Sequence, residues 1–214
     1  MTTSACSVGA RASDLRSMRA AYSAAATVAV AAVGSVEAAI VYSGEQNLSI
    51  AQFSSLNLNL DGDAYGDVLL KNYVFFGGNY QGAYVNFYPG KLVTFSANGL
   101  GYVSALASGA SIDSSTVGSF TGSMAYGGFN PNAQFNNVSN AFLGLSFASG
   151  ANLYYGWVRV SVNNAAGTFV VHDWAYDNSG AGIAAGAVPA PGPLALLAAG
   201  AAGLSRLRGR KTVK

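Results

Sequence analysis

The segment LYYGWVRVSVNNAAGTFVVHDWAY, residues 153–176, leaves the chain little freedom in how it folds. Val158, Val160 and Val162 alternate with other residues, Phe169 and Val171 do so on the return, and Asn163 to Gly167 supply a turn. A period of two, rich in β-branched and aromatic residues around an Asn/Gly cluster, predicts a hairpin with its valine face inward. SSLNLNLD repeats the pattern, with Leu56, Leu58 and Leu60 on one side and Asn57 and Asn59 on the other. GAYVNFYPGKLVTF places two apolar runs around Pro89-Gly90, and NAFLGLSF adds another near Phe142. Clusters such as FFGGNYQG, ASGASIDSS and YGGFNPNAQFNN punctuate these runs, and no stretch between them shows a 3.6-residue stripe. Many short strands with Gly/Asn-rich turns predict an all-β body over residues 40–187, an antiparallel, jelly-roll-like β-sandwich with little helix.

Charge narrows the partners. Arg11, Arg16, Arg19, Arg206, Arg208, Arg210, Lys211 and Lys214 lie near the ends, so the formal net charge of +2 describes no single region. The body holds Lys71, Lys91 and Arg159 against Glu45, Asp61, Asp63, Asp67, Asp113, Asp173 and Asp177, a net charge of −4. Three scattered cations cannot make the several phosphate contacts that drive nucleic-acid affinity, so that class is excluded. With 51% hydrophobic and 9% charged residues the composition is not that of a disordered chain. The sole cysteine, Cys6, precedes the body, which therefore has no disulfide and no thiolate for catalysis or metal binding.

The two ends read as delivery signals. Arg16 and Arg19 precede an uncharged apolar stretch from Ala20 to Val36, and Val36 and Ala38 occupy the −3 and −1 positions of a small-residue cleavage site. That order is the layout of a secretory signal peptide over residues 1–39, with a signal helix and cleavage after Ala38 or Ala39. The stretch before Met18 is unusual for a signal peptide, so Met18 offers a second start. The competing reading, a core helix or anchoring span, suits an Ala-rich stretch this short less well. At the other end, Pro189, Pro191 and Pro193 forbid helix, because each ring removes an amide donor and fixes φ. Leu194 to Leu204 then forms a short apolar helix before Arg206, Arg208, Arg210 and Lys211. Positive charge stays on the cytoplasmic side, so a short transmembrane helix here leaves the body outside.

The segment 188–211, with Val188, Pro189 and Pro191, a short hydrophobic helix and an Arg-rich tail, resembles the PEP-CTERM sorting signal of Gram-negative bacteria. Ala190 stands where that family's proline motif carries Glu. The resemblance implies transient anchoring in the inner membrane and processing near the proline motif by an exosortase-type sorting protease. The body would be released to the cell surface or the extracellular polysaccharide matrix. AIVYSGEQNLSI and the stretch from Tyr155 to Pro189 are similar to a recurrent passenger domain of such proteins, which brings no activity with it.

Within the body, NLNLDGDAYGD is the one concentrated acidic cluster. Asn59, Asp61 and Asp63 alternate and Asp67 follows at the ninth position, a pattern that can offer Ca²⁺ several oxygens around one turn. No frame completes an EF-hand, and the bland alternative is a solvated turn, since Asp-Gly is itself a turn dipeptide. His172 is the only histidine, which excludes a multi-histidine zinc site. Strict alternation would send His172 and Asp173 to opposite faces, and no serine lies in a G-x-S-x-G elbow. No enzymatic activity is expected; a secreted hydrolase ranks third among the readings. Tyr154, Tyr155, Trp157, Trp174 and Tyr176 could form a sugar-binding face, although core packing or cross-strand pairing accounts for most such rings. The expectation is an exported surface or matrix protein with a structural or adhesive role. The alternative is a calcium-dependent carbohydrate-binding module.

Overall fold

The computed structural model describes residues 40–190, and strands make up most of that segment. β1 (Ile40–Tyr42), β2 (Leu48–Ile50), β3 (Ser54–Leu58), β4 (Val68–Phe75), β5 (Gly78–Val85), β6 (Lys91–Ala97), β7 (Leu100–Val103) and β8 (Ala105–Leu106) come first. β9 (Ser111–Ile112), β10 (Val117–Ser119), β11 (Thr121–Ala125), β12 (Val138–Ser149), β13 (Asn152–Asn163), β14 (Thr168–Asp177) and β15 (Ile183–Ala184) follow. The described residues contain no α-helix, only a 3-10 turn at Gly127–Phe129. The all-β expectation is met.

The expected hairpin is β13–β14. Val158, Val160 and Val162 are buried, Phe169 and Val171 face the same core, and the chain reverses over 164–167. Gly167 closes that turn at φ 66, a left-handed backbone that costs glycine little. SSLNLNLD gives β3, which ends at Leu58 although Leu60 is also buried. The strand stops there because Leu60 N–H is taken by Asp67 Oδ2 at 2.7 Å rather than by a neighbouring strand.

The strands form one curled sheet in the order β1-β14-β13-β12-β6-β7-β11-β5-β4-β3, with β2 added at β14, β8 at β12 and β10 at β6. β9 and β15 make a separate two-stranded ribbon. All pairings are antiparallel except β7–β11, joined in parallel at Ser123 and Tyr102, so the sheet is mixed where a purely antiparallel one was expected. β6 pairs with β12 on one side and β7 on the other, which links the two halves of the sheet continuously.

The main core lies between the halves. Leu58, Val68, Leu70, Ala83 and Val85 pack with Leu143, Leu145, Phe147, Val158, Val160 and Phe169. A second cluster covers the opposite face of β13–β14: Trp157, Tyr155 and Ala175 pack with Val93, Ile112, Ile183 and Ala185. Burying both faces of β13 explains why its apolar run is nearly continuous rather than strictly alternating.

The expected signal helix, its cleavage residues Ala38 and Ala39, Pro191, and the expected transmembrane helix with Arg206, Arg208 and Arg210 lie outside the described residues. Among the described residues no helix is long and apolar enough to cross a membrane.

Candidate functional site

The acidic segment is a turn between β3 and β4 that satisfies much of its own backbone. Asn59 Oδ1 accepts from Gly62 N–H (2.7 Å), Asp61 Oδ1 from Asp63 N–H (3.1 Å) and Asp63 Oδ1 from Tyr65 N–H (2.6 Å). Asn59 Nδ2 donates to Asp63 O (2.6 Å). These short-range bonds are the ordinary use of Asx side chains in turns. Asp67 is the exception, a carboxyl only 2% exposed. Burial first, and then the charges of Asp61 and Asp63, push it up to about 7, against the opposing pull of the Leu60 N–H bond. Asp61 Oδ2 is buried without a partner. Among the described residues no three His, Cys, Asp or Glu side chains are arranged to hold a metal ion.

Beside this turn lies a cleft that the sequence reading did not single out. A depression of about 580 Å³ is walled by Tyr84, Phe87, Tyr88 and Phe120, with Asn86 and Lys91 supplying polar edges. A second, of about 370 Å³, shares Phe87 and Tyr88 and adds Tyr65 and Asp63. Tyr88 is 93% exposed, and Tyr65, Phe87 and Phe120 are also exposed. Three of these rings have aromatic neighbours. Phe120 meets Tyr84 edge-on at 5.4 Å, and Phe87 meets Tyr65 edge-on at 5.8 Å. Lys71 Nζ sits 5.7 Å from the centre of the Tyr84 ring. Asn86 Nδ2 ties the cleft to the acidic turn through Asn57 Oδ1 (2.6 Å) and Gly66 O (2.7 Å). The available signal was NFYPGK: aromatics at a turn, where they have no strand partner to pack against.

The aromatic residues expected at a sugar-binding face belong instead to the core. Tyr155, Trp157 and Tyr176 are buried, while Tyr154 and Trp174 are half-buried and packed against it. A second group of rings gathers at the far tip of the β4–β5 hairpin. There Tyr126 stacks on Phe129 at 5.1 Å and meets Tyr80 edge-on at 5.6 Å, and Phe76 projects fully into solvent.

His172 departs from the expected alternation. Arg159 pairs with Asp173 and Val160 with Val171, so His172 is the extra residue of a β-bulge in β14. A bulge turns its residue off the alternating pattern. His172 consequently lies on the Arg159–Ser161 side of the hairpin, as Asp173 does, while Trp174 packs toward the main core. Asp173, 2% exposed, receives Arg159 Nε (2.8 Å), Arg159 Nη2 (2.6 Å) and the Tyr42 hydroxyl (2.8 Å). The hydrogen bond to Asp173 raises Tyr42 above the ordinary phenol range.

Of the sorting residues, Val188 and Pro189 are described. Neither lies in a strand, and Val188 is exposed. No family model, curated protein or solved structure matches the chain.

Proposed function

We propose that the body is the glycan-binding, adhesive part of an exported protein delivered to the cell surface or its polysaccharide matrix. The observation that carries the binding reading is the cleft of Tyr84, Phe87, Tyr88 and Phe120. Exposed rings beside amide and ammonium groups suit a pyranose, whose faces are apolar and whose edges are hydroxyls. Export and sorting rest on the two ends of the sequence. In this reading the secretion machinery and an exosortase-type protease act on residues 1–39 and 188–211, and contact with the inner membrane is transient. The body then works as a jelly-roll-like sandwich, which the facing halves of the curled sheet support.

Calcium dependence is the second reading. It is favoured by the unpartnered Asp61 Oδ2, and by Asp63 lining the same depression as Tyr65 and Tyr88. A cation here would draw on Asn59, Asp61, Asp63 and Asp67 and would offset their mutual repulsion.

A polysaccharide array probed with and without calcium tests both readings. Binding that falls at least tenfold in Tyr88→Ala/Phe120→Ala, with unchanged melting, supports the cleft; equal signal from that variant rejects it. Loss of binding in chelator adds the cation. Mass spectrometry of protein recovered from culture tests delivery: the expected mature chain starts after Ala38 or Ala39 and ends near Pro191. Intact chain folded in the cytosol would refute it.

A further inference from the structure

We propose that Ser161, His172 and Asn47 form a hydrolytic serine site for small, unhindered acyl esters, an activity beyond the glycan-binding reading and independent of it. Ser161 Oγ lies 2.8 Å from His172 Nε2, and His172 Nδ1 lies 2.9 Å from Asn47 Oδ1. The amide oxygen can only accept, so Nδ1 carries the proton and Nε2 presents its lone pair to the serine hydroxyl. This is the tautomer that general-base activation of serine requires, with the third residue orienting the ring.

Local irregularities of the sheet bring the three together. The bulge in β14 frees His172 from the ladder. A second irregularity, between Val138↔Val162 and Ala141↔Val160, leaves Ser139 and Asn140 opposite Ser161. Asn140 takes a left-handed backbone at φ 56, and its N–H donates to Ser161 Oγ at 3.0 Å. Asn47, on the β1–β2 connection, is also left-handed at φ 51 and is anchored through its N–H to His172 O at 3.1 Å. Among the described residues four non-glycine positions have positive φ, and two of them touch this pair. Bulges and left-handed residues concentrate where a side chain must be aimed.

The surroundings suit the chemistry. Arg159, two residues before Ser161, holds Asp173 in a two-pronged ion pair, approaches Glu45 at 4.0 Å and reaches Asn140 Oδ1 at 3.4 Å. The Tyr42 hydroxyl completes the charged and titratable set on this face. A depression of about 310 Å³ beside Ser161, walled by Val138, Asn163, Thr168 and Val170, has room for a short acyl group.

In the reaction, Ser161 Oγ bonds to the ester carbonyl carbon as its proton passes to His172 Nε2. The Asn140 N–H, which donates to Oγ at 3.0 Å, holds the serine oxygen in place for attack. His172 returns the proton to the leaving alkoxide as the carbon–oxygen bond breaks, leaving acyl-serine and free alcohol. Water then attacks the acyl carbon, giving its proton to Nε2. That proton goes back to Ser161 Oγ as the carboxylic acid departs. Asn47 is a positioning residue: it acts through the ring and touches no substrate.

The test treats the full chain with diisopropyl fluorophosphate, where Oγ displaces fluoride from phosphorus, and maps the adduct by peptide mass spectrometry. The expected result is labelling of Ser161 at least 100-fold faster than of Ser139 in the same molecule. It should be abolished in Ser161→Ala, reduced at least 100-fold in His172→Gln and about tenfold in Asn47→Ala. p-Nitrophenyl acetate should give a burst of about one equivalent of p-nitrophenolate before slow turnover. Equal labelling of Ser161 and Ser139 in the unmodified protein overturns the proposal without any variant. Undiminished labelling in folded His172→Gln overturns it as well.

Discussion

Trp157 Nε1 donates to the carbonyl oxygen of Ala187 at 3.1 Å, joining the centre of β13 to the last residue before the proline-rich segment. Trp157 is 1% exposed and packs edge-on against Phe142 at 5.2 Å, so the donor is held rigidly. Ala185 and Ala187 are locked further by Ala185 N–H to Ala110 O and Ala187 N–H to Ala184 O. The segment after β15 is thereby pinned to the centre of β13.

Trp157→Phe keeps a ring in the second core cluster and removes only the donor and part of the area. It should cost about 1–2 kcal/mol, read by denaturant unfolding. Amide exchange at Ala185 and Ala187 should speed up by more than that at Val160, because the segment 183–187 loses its pin while the hairpin keeps its ladder. Uniform acceleration at all three would mean that the segment is held by packing alone.

Asp67 ties stability to pH. Its carboxyl titrates near 7 in the folded protein, well above the ordinary value near 4, so between these limits the folded state binds a proton that the unfolded state releases. Stability should rise as pH falls from about 7 toward 4, by on the order of 3 kcal/mol. Asp67→Asn should flatten that slope and raise stability at neutral pH. Calcium, if bound by the turn, favours the ionised carboxylates and should raise the melting temperature above pH 7. Asp61→Ala/Asp63→Ala should abolish that rise. Identical melting with calcium and with chelator excludes the cation, and an unchanged slope in Asp67→Asn excludes Asp67 as its source.

The β13–β14 hairpin was legible because Val158, Val160, Val162, Phe169 and Val171 obey one period on either side of an Asn/Gly turn. The position of His172 was not, since a bulge depends on the partner strand, and the sequence of β14 alone continues its alternation through residue 172. Asp67 could be counted as a ninth-position ligand, but its burial comes with tertiary backbone bonds, Asp67 N–H to Leu58 O and Leu60 N–H to its Oδ2, that the spacing does not show. The cleft was hidden for a related reason: Phe87, Tyr88 and Phe120 are more than thirty positions apart at the extreme, and only the β5–β11 pairing brings Phe120 beside Tyr84. Buried amides escaped as well, because Asn and Gln in Gly-rich stretches read as turn residues.

Gln81 shows what such an amide does. It is fully buried, donates to Asn72 Oδ1 at 2.8 Å and accepts from Asn164 Nδ2 at 2.7 Å. Asn72 passes the chain on to Ile50 O and Gly167 O, at 2.8 and 2.9 Å. The β13–β14 turn is thereby fastened to the opposite half of the sheet. Gln81→Leu would leave Asn72 Oδ1 without this donor and Asn164 Nδ2 without this acceptor, at about 3 kcal/mol in total. Gln81→Glu keeps the acceptor but loses the donor and buries a charge, so it should be worse at pH 8 than at pH 5. Chemical denaturation at both pH values checks the ranking, and a cost below about 1 kcal/mol for Gln81→Leu would show that the network is not holding the halves together.

Tyr102 carries the opposite prediction. Its ring is fully buried and stacked on Phe95 at 5.3 Å, while its hydroxyl is buried with no hydrogen-bond partner. Desolvating a hydroxyl without compensation costs about 1–3 kcal/mol, whereas the ring contributes through area and stacking that phenylalanine retains. Tyr102→Phe should therefore stabilise the protein by about 1 kcal/mol. The gain is smaller than the full desolvation term, since removing the oxygen leaves a small void whose lining loses contacts. A thermal melt settles the sign: a lower melting temperature would mean that the hydroxyl holds a buried water, and that its oxygen supports the β7–β11 junction.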